Sequence, residues 1–158
     1  MKQPSLQPPL MSKSIGALFV AASLFLATAP AALGADPAGA SLTIVFQGIK
    51  TPSGQVMVSL APDPTAYAGK APAAAQAMVN VSGATATVTF GGLKSGTYAV
   101  RAFHDLNGDG KLNTNPFGVP TEPYAFSNNA HGVMGPAPWE AAAFDVKPGE
   151  NRQTIDID

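Results

Sequence analysis

From residue 42 to residue 49 the chain alternates, with Leu42, Ile44 and Phe46 at every second position. A two-residue apolar period is that of a strand with one buried face. Residues 50–54, Lys-Thr-Pro-Ser-Gly, predict a turn, and residues 55–60 a second strand with Val56, Val58 and Leu60 pointing inward. The pair reads as a hairpin. Residues 61–75 are rich in proline and alanine. Proline lacks the amide donor that a ladder needs, so this stretch predicts a loop with room for a helical turn.

Alternation resumes at residues 77–81 and 84–90, where Thr85, Thr87 and Thr89 face one way and Val88 and Phe90 the other. Ser82-Gly83 between them predicts a second hairpin turn. Residues 97–104 form the next strand, with Tyr98, Val100 and Ala102 alternating against Ala99, Arg101 and Phe103. After an irregular stretch over 112–138, strand patterns return at 141–147 and 153–157. About seven short strands, turn signals between them and no long helix predict an all-β fold, an antiparallel β-sandwich of immunoglobulin-like or transthyretin-like form with one long ordered loop region. A small closed barrel is the alternative. The Leu93-x-x-Gly96-x-Tyr98 spacing favours the sandwich, because such a turn ties two sheets together through a tyrosine corner; the plainer reading of Tyr98 is a core aromatic.

The first 35 residues carry Lys2 and Lys13, no acidic residue, an apolar run from Ile15 to Leu26 and then small residues. This is the pattern of a secretory signal peptide, with cleavage after Ala29, Gly34 or Ala35. The run is too short to span a hydrocarbon layer of ~30 Å, so no stable membrane anchor is expected. Residues 36–158 then form a single domain, exported to the periplasm or the exterior. With two of the nine lysines and arginines in the leader, seven basic residues face ten acidic ones in the remainder. They are scattered, which argues against nucleic acid as a partner. The chain has no cysteine. An exported domain without disulfides depends on its core, its turns or a bound ion.

Residues 105–113, Asp-Leu-Asn-Gly-Asp-Gly-Lys-Leu-Asn, supply the candidate chemistry. Asp105, Asn107, Asp109 and Asn113 occupy positions 1, 3, 5 and 9 of a calcium loop, Gly110 takes the sharp bend at position 6, and Lys111 offers its carbonyl. The match ends there. Position 12 is Pro116 where a helix-loop-helix site has its bidentate glutamate, and no amphipathic helix precedes the loop. Calcium is therefore the expected cofactor, at a loop fragment set in another fold, and Glu122 is the one carboxylate beyond the loop open to recruitment. The competing reading is a metal-free turn, since Asn-Gly and Asp-Gly are strong turn formers and Asx side chains bond their own backbone.

The long stretch after this loop contains Phe117, Tyr124, Phe126 and Trp139. Disordered segments are poor in aromatics, so it is expected to fold over one end of the sandwich. These side chains either cap the core or form a recognition surface for a protein or glycan. The run Phe103-His104-Asp105 through Asn115, continuing over Phe117-Gly118-Val119-Pro120, Glu122-Pro123-Tyr124, Phe126-Ser127-Asn128-Asn129-Ala130 and Gly135-Pro136, resembles the exported bacterial family catalogued as domain of unknown function 2141. That resemblance implies a secreted or periplasmic sandwich related in architecture to transthyretin-like and carboxypeptidase regulatory-like domains, with no established activity.

His104, Asp105, Glu122, Ser127 and His131 include the residue types of a hydrolase. Ser127 lacks a Gly-x-Ser-x-Gly elbow, and His104, His131 and Glu122 lack the local spacing of a zinc site. The leading expectation is a non-enzymatic calcium-binding sandwich. The alternative is a small-ligand-binding or hydrolytic protein using His104, Glu122 and His131 among the aromatics at the loop end.

Overall fold

The computed structural model describes residues 39–157; the leader expected over residues 1–35 lies outside the described residues. Among the described residues there are eight strands: β1 (Ala40–Gln47), β2 (Gln55–Ala61), β3 (Ala75–Asn80), β4 (Ala86–Leu93), β5 (Gly96–Asp105), β6 (Tyr124–Phe126), β7 (Phe144–Val146) and β8 (Glu150–Asp156). Two one-turn helices, α1 (Pro64–Tyr67) and α2 (Trp139–Ala142), join them. Among the described residues no helix is long and apolar enough to cross a membrane.

The strands form two sheets, one ordered β4-β1-β8 and one ordered β3-β2-β5-β6 with β7 added against β5. This is an all-β sandwich, and the β1–β8 pair is parallel whereas the other pairs are antiparallel. The core fills the space between the sheets, with Leu42, Ile44 and Phe46 of β1 facing Val56, Val58 and Leu60 of β2. Each of these side chains is buried and contributes roughly 1.5–3 kcal/mol on leaving water.

Neither expected hairpin forms. β1 pairs with β4 and β8, while β2 pairs with β3 and β5, so residues 48–54 carry the chain from one sheet to the other. Ser82-Gly83 likewise lies on a crossing, between β3 and β4. Inward alternation is the same for strands side by side and for strands face to face across a core, so the pattern alone does not choose between them. Gly48 and Gly54, both with φ near +80°, bracket the first crossing. The crossing from β4 to β5 is held by Tyr98, whose hydroxyl donates to the Lys94 carbonyl at 2.9 Å, the tyrosine corner that the Leu93–Tyr98 spacing predicts.

The other differences lie in the long loop region. Residues 124–126 form β6, inside the stretch expected to be irregular. Residues 139–142 are helical, leaving only Phe144–Val146 as β7. A second apolar cluster, including Ala61, Ala66, Tyr67, Ala99, Phe126 and Ala142, sits on the opposite strand parity from the core. Residues 127–142 therefore cover part of the outward face of the larger sheet, and only residues 106–122 extend the end of the sandwich.

Candidate functional site

Strand β5 ends in His104 and Asp105, both buried at 1% exposure. The two Asp105 carboxylate oxygens accept from the Gly108 and Gly110 amides at 2.7 and 2.8 Å. Gly108 and Gly110 have φ of 78° and 73°, a region that costs L side chains strain, so glycine at both positions allows the loop to fold around this carboxylate. Asn107 Oδ1 accepts from the Asp109 amide, and Asp109 Oδ1 from the Lys111 amide.

The remaining side-chain atoms converge. Asp109 Oδ2 accepts from Asn107 Nδ2 at 3.3 Å and Asn113 Nδ2 at 3.0 Å, and Asn107 Nδ2 also reaches Asn113 Oδ1 at 3.0 Å. The Asn113 amide and the Lys111 N–H hold the Asp109 carboxyl below the usual carboxylate value. These bonds satisfy the loop as a metal-free turn. They also bring Asn107, Asp109 and Asn113 to one place, where half a turn of either amide exchanges its NH₂ for its oxygen. Among the described residues no three His, Cys, Asp or Glu side chains group to hold a metal. A cation here would rely on two carboxylates completed by amide and carbonyl oxygens, a donor set that suits a hard ion such as calcium.

Glu122 closes the loop. Its Oε1 accepts from the Leu106 amide at 2.9 Å and its Oε2 from the Asn113 amide at 3.0 Å, so one buried carboxylate grips both ends. Beyond Asn113 the chain makes a tight hairpin: Thr114 bridges Pro120, and Asn115 Oδ1 accepts from Phe117 and Val119 at 2.9 and 3.0 Å. This turn presents Phe117 at its tip, 90% exposed, so Phe117 does not cap the core. Phe126 is buried and Trp139 half-buried, the latter 5.7 Å from Tyr67 in an edge-on contact. Tyr124 is 40% exposed and meets Phe126 edge-on at 5.8 Å.

His104 and His131 do not share a site. The His104 Nε2 lies 2.6 Å from the Ser53 carbonyl oxygen, beneath the crossing loop. His131 is exposed and lines a separate concavity with Tyr124, Phe126 and Asp156, to which neither His104 nor Glu122 contributes. Ser127 is fully buried; its Oγ accepts from the Val100 amide at 2.8 Å and donates to the Ala142 carbonyl at 2.5 Å. The structure thus brings Asp105, Asn107, Asp109, Asn113 and Glu122 together, while His104, Ser127 and His131 each make their contacts elsewhere.

Two structural roles escape the sequence reading. Asn128 and Asn129 both have positive φ. Asn128 Nδ2 donates to the Ala141 and Ala143 carbonyls, while Asn129 exchanges two 2.9 Å bonds with Asp156, one to its amide and one to its carboxylate. An Asn-Asn pair is a signal for positive φ, though not for which strand it ties. The second role belongs to Gly54, where an added Cβ would overlap the Asp105 carbonyl oxygen.

The fold and the loop define a two-sheet sandwich with an Asx-rich loop at the end of a central strand. The chain belongs to the family described as "Uncharacterized protein conserved in bacteria (DUF2141)", whose model matches residues 44–154, from β1 into β8. No curated protein and no solved structure matches it.

Proposed function

We propose that this protein is an exported, non-enzymatic sandwich that binds calcium at Asp105, Asn107, Asp109, the Lys111 carbonyl and Asn113, and uses the ion to stiffen the loop end. The observation that carries this reading is the convergence of Asn107 and Asn113 on the Asp109 carboxylate, beside a buried Asp105. Glu122 is a clamp in this account, its two oxygens joining the Leu106 and Asn113 amides on either side of the loop. The leader-like first 35 residues support export.

Two carboxylates make a weak site, with dissociation constants of ~10⁻⁴ to 10⁻³ M, the range of extracellular calcium modules. The role is then structural or in recognition, since Asn113 belongs both to the loop and to the base of the Phe117 hairpin, its carbonyl accepting from Thr121 at 2.9 Å. Ordering the loop fixes the hairpin. Calorimetric titration with calcium, magnesium and zinc tests the proposal: a saturable calcium signal supports it, and a signal for zinc alone overturns it.

A further inference from the structure

The outward face of the larger sheet carries an apolar row across four strands. Met57 of β2 lies opposite Met78 of β3 on one side and Phe103 of β5 on the other, and Phe103 lies opposite Tyr124 of β6. Met78 is 60% exposed, and at the other end of the row Tyr124 forms the wall of a concavity of about 390 Å³. That volume lies at the small end of the ~300–1,000 Å³ range of ligand clefts. Phe126 supports the Tyr124 ring edge-on from below.

The polar groups beside this ring are a carboxylate, an amide and an imidazole. Asp156 is held in place by Gln47, whose amide donates to Oδ1 at 2.6 Å, and by Asn129, whose amide donates to Oδ2 at 2.9 Å. Each carboxylate oxygen keeps a further lone pair. Exposed His131 adds an imidazole to the lining, which includes no lysine or arginine. An anionic ligand would find no lysine or arginine there, and a cationic one only a carboxylate already sharing its charge with two amides. A purely apolar ligand would cover the imidazole and the spare lone pairs of the carboxylate without pairing them. A ring with an apolar face and several hydroxyls satisfies both halves of the lining.

We infer that the concavity between Tyr124, His131 and Asp156 is a binding site for a neutral saccharide, stacked on Tyr124 and hydrogen-bonded to His131 and Asp156. The site lies apart from the acidic loop and does not depend on calcium binding there. One stacked ring and a few hydrogen bonds give affinity on the order of millimolar.

The test is amide NMR of the full chain titrated with glucose, galactose and N-acetylglucosamine into the tens-of-millimolar range, in chelator so that a failure of the calcium reading is read separately. At least one sugar is expected to give saturable shifts at Ala125, Ala130 and Gly132. Tyr124→Ala should weaken that binding tenfold or more and His131→Ala severalfold, while Tyr124→Phe, which keeps the ring, retains it. The spectrum of each variant reports its fold in the same experiment. Absence of saturable shifts with all three sugars overturns the inference, as does undiminished binding in folded Tyr124→Ala. Tighter binding of glucose 6-phosphate than of glucose also overturns it, because that ligand class is anionic.

Discussion

Gly54 passes directly beneath Asp105, so close that a Cβ on the glycine would overlap the Asp105 carbonyl oxygen, and its φ of +78° is one that L side chains rarely adopt. The first crossing between the sheets and the acidic loop are therefore fitted against one another. Gly54→Ala should destabilise the protein by at least about 2 kcal/mol, from positive-φ strain and displaced backbone together. Denaturant unfolding checks the loss, and an unchanged midpoint would show that the contact is dispensable.

Glu122 accepts from Leu106 and Asn113, and removing a buried acceptor leaves both amides without a partner. Glu122→Ala should cost about 1–3 kcal/mol per orphaned group, and Glu122→Gln less, because its one carbonyl oxygen still accepts. Hydrogen exchange, relative to amides in β2, should accelerate at both the Leu106 and Asn113 amides in Glu122→Ala and at one of them in Glu122→Gln.

Asn129 ties the long loop to β8 through two bonds to Asp156 while standing at φ 50°. Asn129→Ala loses the bonds and adds left-handed strain, whereas Asn129→Gly loses only the bonds. Alanine should therefore be the more destabilising substitution, by roughly 1 kcal/mol. Equal midpoints for the two variants would contradict the backbone assignment.

Tyr67 is buried, its hydroxyl donates to the Ala137 carbonyl at 3.0 Å, and burial pushes its pKa from 10.0 up to about 12, against a smaller opposing pull from Arg101. The unfolded chain ionises this tyrosine near 10 while the folded chain holds the proton to about 12. Its contribution to stability is complete below pH 10 and is lost as pH rises toward 12. Phenolate absorbance should show a late step toward pH 12, and Tyr67→Phe should remove it.

The acidic loop was the most legible part of the sequence, because Asx at alternate positions with glycine between them restricts the backbone locally. The strand inventory was largely legible for the same reason: β1, β2, β4 and β5 each alternate strongly. Strand neighbours were not, since facing and adjacent strands share one pattern, and β1 turned out to face β2. The short β6 was hidden because three residues are too few to display a period. Phe117 reads as a core aromatic by type. Its exposure follows from Asn115, Pro116 and Gly118 making a hairpin that projects from the fold, which composition alone does not reveal.

The most direct test of calcium binding at the loop is thermal unfolding of the full chain in calcium and in chelator, with Asp105→Asn alongside. Calcium at ten times its dissociation constant should stabilise the folded state by about 1.4 kcal/mol, raising the melting temperature of the native chain and not of the variant. Superimposable melting curves of the native chain in calcium and in chelator would contradict the account.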